Sequence, residues 1–178
     1  MPAAESHELT VNIFDYLSIL SDEDPGASLL RLKIGIDSAL NTGLSSGITV
    51  IITTENLAKQ VVNTFNTQIS ESLPSTPSNS VTKDKGKLSL HQSTTTQRKL
   101  LVSVYPGHSV NLFLPERLKH IIDYLTVQKI KPVSITYYDC NRRNCETAKR
   151  QEKLPKIRVV DSYYIKPGTE FTPQLISL

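Results

Sequence analysis

A chain of 178 residues with 38% hydrophobic and 21% charged residues, no tryptophan and few aromatics holds material for one modest core. A formal net charge of +3 is too small to define a partner, and two cysteines are too few for a secreted disulfide scaffold. No apolar run approaches the roughly 20 residues of a membrane span, and the opening MPAAESHELT lacks the basic start and apolar centre of a signal peptide. Cytosol or nucleus is the expected compartment, with no membrane involved.

In chain order, ELTVNIF (residues 8–14) alternates Leu9, Val11 and Ile13 with polar neighbours, as a half-buried strand does. SDEDPG (21–26) supplies a turn, and SLLRLKIGI (28–36) sets Leu30, Leu32, Ile34 and Ile36 opposite Arg31 and Lys33, the clearest alternating strand of the chain. After the turn-rich DSALNTGLSSG (37–47), the β-branched run ITVIIT (48–53) predicts a strand buried on both faces. Thr54 can cap a helix to about Ser72, with Leu57, Ala58, Val61, Val62, Phe65 and Ile69 at helical spacing.

The stretch from Leu73 to Gln97 is polar, holds two prolines and no aromatic residue, and reads as a flexible insertion in one fold. KLLVSVY (99–105) is a strand and PGHS (106–109) a turn. A helix is expected from Pro115 to about Gln128, with an apolar stripe of Leu118, Ile121, Ile122 and Leu125 and with Glu116, Arg117, Lys119, His120 and Asp123 on its polar remainder. PVSITYY (132–138) is a strand, 139–155 a basic loop with a short helix around 146–153, KIRVVDSYYI (156–165) a strand, and 166–178 a turn-rich tail.

Segments this short argue against repeated parallel crossovers. The expected architecture is a single α+β domain over residues 1–178, with about six strands in a largely antiparallel sheet and two main amphipathic helices. Both helices are expected on one face, leaving the other face or an edge for dimerisation.

Catalytic machinery is not legible. Cys140 and Cys145 have no second Cys/His pair beside them to complete a zinc site, with only His108 and His120 as distant candidates, so neither a metal nor another cofactor is expected. No Gly-x-Ser-x-Gly elbow exists, and His108 in YPGHS has no oriented nucleophile or carboxylate. GLSSG (43–47) precedes a strand instead of joining a strand to a helix, so it reads as a turn and not as a phosphate loop.

Charge is unevenly spread. The first 24 residues carry Glu5, Glu8, Asp15, Asp22, Glu23 and Asp24 with no Lys or Arg, whereas Arg142, Arg143, Lys149, Arg150, Lys153, Lys156 and Arg158 outnumber Glu146 and Glu152 further on. Arg142, Arg143, Lys149 and Arg150 are therefore the candidate protein-interaction residues. The alternative for the basic loop 142–158 is RNA or DNA binding in a larger ribonucleoprotein, with Tyr137, Tyr138, Tyr163 and Tyr164 as stacking faces. Each tyrosine pair must point to opposite faces of its strand, which argues against a continuous platform.

The order QRKLLVSVYPGHSVNLFLPERLKHIIDYL (97–125) followed by KPVSITYYD (131–139) resembles the small proteasome assembly chaperones of types 3 and 4. The resemblance implies a six-stranded sheet packed with helices, a heterodimer with a structurally similar small protein, and binding to an α-ring subunit of the 20S core during assembly. It brings no catalytic residue. The polar stretch at 73–97 and the strand-like C-terminus depart from the family pattern.

Overall fold

Runs of Val, Ile and Leu with no polar alternation mark strands covered on both sides, and here they pair in parallel. The structure, a computed structural model, describes residues 10–15, 47–69, 80–83, 86–93, 98–105, 114–130, 134–150, 158–165 and 173–177. The elements in order are β1 (Thr10–Asp15), β2 (Gly47–Thr54), α1 (Glu55–Ile69), β3 (Ser80–Lys83), β4 (Gly86–Gln92) and β5 (Lys99–Tyr105). They continue with α2 (Leu114–Val127), β6 (Ser134–Asp139), α3 (Arg142–Lys149), β7 (Arg158–Ile165) and the short β8 (Pro173–Leu175). The strand expected at 28–36 and the turns around it lie outside the described residues.

The described strands form one mixed sheet in the order β3-β4-β5-β2-β1-β6-β7-β8. Its five inner strands, β5-β2-β1-β6-β7, are parallel throughout. The β3–β4 pair joins antiparallel to β5 at one side, and β8 joins antiparallel to β7 at the other. This is a single α/β domain with a mostly parallel sheet, which corrects the expectation of about six largely antiparallel strands. The reason lies in the connections: residues 140–157, with α3 inside them, are long enough for a parallel crossover from β6 to β7.

Helices cover both faces. On one, Val61, Val62 and Phe65 of α1 pack on Phe14, Ile51, Leu100 and Val102. On the other, Leu118, Ile121 and Leu125 of α2 and Ala148 of α3 pack on Val11, Ile13, Val50, Ile52 and Ile135. The two long helices thus sit on opposite faces of the central strands, and the expected open face is absent there. A side chain of this size contributes about 1.5–3 kcal/mol when taken out of water, so both layers hold the sheet.

The polar stretch at 73–97 contains β3 and β4. Leu88, Ser89 and His91 are buried, and β4 pairs with β5 from Lys87↔Val104 to Gln92↔Lys99. Leu88 and Leu90 alternate with Ser89 and His91, a strand pattern outweighed at first sight by the polar composition around it. The tail at 166–178 holds β8, and Ile176 beyond it donates its N–H to Ser162 O at 2.8 Å.

Candidate functional site

Numbered among the parallel strands alone, the order is 3-2-1-4-5, so the progression of the strand order reverses between β1 and β6. In doubly wound sheets the crevice at the carboxyl ends of the strands flanking such a switch point is where ligands bind. Both flanking strands here end in aspartate, and the register sets Asp15 opposite Asp139. The acids also share a sheet face with Tyr137, one alternation back, because side chains repeat every second residue.

These groups are closed in. Asp15 is 1% exposed, Asp139 0% and Arg117 2%. Arg117, in the first turns of α2, donates from Nη2 to Asp15 Oδ2 at 2.6 Å. The Tyr137 hydroxyl lies 3.1 Å from Asp15 Oδ2 and 2.7 Å from Asp139 Oδ2. One hydroxyl proton is shared between two acceptors here, and a proton on Asp139 would let each contact be a full hydrogen bond.

The energetics favour such a proton. Burial and the nearby Asp15 push Asp139 up to about 8, against the opposing hydrogen bonds from Tyr137, Asn141 and Asn144. Burial first, and the two acids after it, hold the Tyr137 hydroxyl well above its ordinary value. Burial pulls the Arg117 guanidinium down, but Asp15, Tyr137 and Asp139 outweigh it and the net direction is up. A proton held on Asp139 reduces the negative charge beside the buried Arg117–Asp15 pair, in a site where an uncompensated charge is costly.

Asp139 also orders the chain beyond its own strand. Its Oδ1 accepts from Asn141 N at 2.8 Å, and its Oδ2 from Asn144 Nδ2 at 2.9 Å. Asn141 in turn caps α3, accepting from Arg143 N and Asn144 N. The buried Cys145 thiol faces Asp139 O at 3.5 Å and Tyr163 O at 3.3 Å, and Ser162 Oγ donates to Cys145 O at 2.7 Å. Burial foremost pushes that thiol up to about 12, which leaves it protonated and unreactive.

The anchored side of α3 determines what it presents outward. At 100° per residue Arg142, Arg143, Lys149 and the C-cap Arg150 fall on one face with Glu146, away from Cys145 and Ala148. Arg142, 67% exposed, pairs with Glu146 at 3.6 Å, while Arg143 and Arg150 are exposed. The structure so gathers all four expected interaction residues on one helical face. The charge they carry with Glu146 equals the formal +3 of the whole chain.

Other expectations change. Three of the four tyrosines are engaged elsewhere: Tyr137 is in the closed cluster, and Tyr138 is sandwiched between Phe14, at 4.2 Å between ring centroids, and Tyr163, at 5.0 Å. Arg117, expected on the polar side of its helix, is buried. Asp15, counted in the acidic N-terminal charge, faces the interior. His108 lies outside the described residues, and among the described residues no group of three or more His, Cys, Asp or Glu could hold a metal ion.

Periodicity and composition do not reveal the Asp15–Arg117–Tyr137–Asp139 set. A strand ending in aspartate, seen twice as IFD and YYD, is the available signal, but it carries meaning only once both strands are known to be parallel neighbours. Ser89 and His91 make a second buried polar pair, Oγ to Nε2 at 3.4 Å, where burial lowers the pKa of the imidazole.

Fold and site together define an α/β domain with helices on both faces of a mostly parallel sheet and, among the described residues, a buried cluster of its own side chains at the switch point. No family model, curated protein or solved structure matches the chain.

Proposed function

We propose that this protein is a non-enzymatic assembly chaperone, pairing with a structurally similar small protein and engaging an α-ring subunit of the proteasome core during its assembly. The partner classes come from the resemblance of residues 97–125 and 131–139. The observation that supports a binding role is the switch point: where an α/β enzyme keeps groups for its ligand, Arg117 and Tyr137 fill the space between the two acids. The surface assigned to binding in this reading is the basic face of α3, which Asp139 of that cluster holds through Asn141, Asn144 and Cys145.

The nucleic-acid alternative depends on tyrosines beside the basic residues, and the burial of Tyr137 and Tyr138 removes two of its stacking faces. Native purification of the tagged full chain tests the proposal. Recovery of a similar-sized partner together with a proteasome α subunit is the expected result, and recovery of neither overturns it. Tight, salt-sensitive binding of structured RNA by the purified chain would favour the alternative.

A further inference from the structure

Arg143 and Arg150 stand seven residues apart on α3, so they project in nearly the same direction about 10 Å from each other. Arg142 is engaged by Glu146 at the middle of the face. We propose that this face docks on an acidic segment of a partner protein, with Arg143 and Arg150 each taking a carboxylate in a paired, two-pronged hydrogen bond; this deepens the chaperone reading and rests on it.

Three observations favour a protein over a nucleic acid. The face is short, since an eight-residue helix spans about 12 Å and so meets only a few phosphates of a nucleic-acid backbone. Glu146 sits among the cations and repels a continuous polyanion, yet discrete carboxylates can be placed around it. Tyr138 and Tyr163 stack with Phe14 on the sheet face away from α3, and Tyr137 is fully buried, so none of these three rings is offered to a base beside the helix. A partner helix with acidic residues at i and i+7 reproduces the spacing of Arg143 and Arg150.

The guanidinium geometry adds specificity. Its planar fork matches a carboxylate bidentately, which an ammonium does not. Because α3 is tied to Asp139 by Asn141, Asn144 and Cys145, little side-chain scaffold has to be ordered on binding.

The test uses the full chain and a fluorescent synthetic helical peptide carrying glutamates at i and i+7, read by anisotropy, with a short RNA duplex titrated in parallel at the same salt. Arg143→Glu with Arg150→Glu is expected to weaken peptide binding at least about tenfold while the far-UV spectrum is unchanged. Arg143→Lys with Arg150→Lys keeps the charge and is expected to lose part of the affinity, a loss that general electrostatics would not produce. Equal affinity of the charge-reversed and native chains overturns the proposal, as does tighter binding of the duplex that the same variant abolishes. If the charge-reversed chain still recovers the native partner from cells, this surface fails while the chaperone reading stands; if the native chain binds the peptide but recovers no partner, the chaperone reading alone fails.

Discussion

Asp139 couples the stability of this fold to pH. Its carboxyl ionises at about 4 in an unfolded chain, but in the fold burial and Asp15 push it up to about 8. Between those values the folded state keeps a proton that the unfolded state has released. The group's stabilising contribution is thus complete below ~4 and is lost as pH rises toward about 8. Urea midpoints of the native chain should fall across this interval by more than those of Asp139→Asn, which has no carboxyl to ionise; parallel curves would show that Asp139 titrates normally. Arg117 is the complementary case. Arg117→Met leaves Asp15 buried without its guanidinium and should cost about 3–5 kcal/mol in chemical denaturation, with Asp15→Asn in the same chain restoring part of the loss.

At the level of elements, short-range signals were readable where capping and periodicity agree. Helix α2 is an example: the residues from Leu118 to Leu125 carry the apolar stripe, and the helix ends in a turn where Lys129 N reaches Thr126 O and Ile130 N reaches Leu125 O. Lys129 takes φ 61 there, a left-handed conformation that costs a side chain with Cβ. Lys129→Gly should therefore raise stability by about 1 kcal/mol, visible as a higher thermal midpoint; a lower midpoint would mean that the lysine side chain itself holds the turn. Helix α3 begins four residues earlier than periodicity suggests, because Asn141 caps it and is itself held by Asp139. Strand β4 was hidden by composition, since its pairing with β5 supplies what its few apolar residues do not.

For the whole molecule, the sheet carries two apolar layers that share every central strand. Ile51→Ala removes contacts under α1, and Ile121→Ala removes contacts between α2 and the opposite face. Each should cost about 2–5 kcal/mol. Both should shift one common unfolding transition, seen alike by far-UV circular dichroism and tyrosine absorbance, because neither layer is complete without the shared sheet. Two separated transitions would show that the layers unfold independently.

The sequence by itself determined the local elements: the β-branched run at 48–53 and the apolar segment at 99–105 made strands, helical spacing made α1 and α2, and the cationic residues after Cys140 marked a basic surface. These are properties of neighbouring residues, which propensity and periodicity report directly. Strand partners, the parallel direction, the side of the sheet each helix covers, and the meeting of Asp15 with Arg117 and Asp139 were decided only by the tertiary structure. Those contacts join residues more than a hundred positions apart, and no local pattern records which buried face will meet which. Local helical spacing puts Arg142, Arg143, Lys149 and Arg150 on one face, but the ties from Cys145 to β7 decide which way that face points.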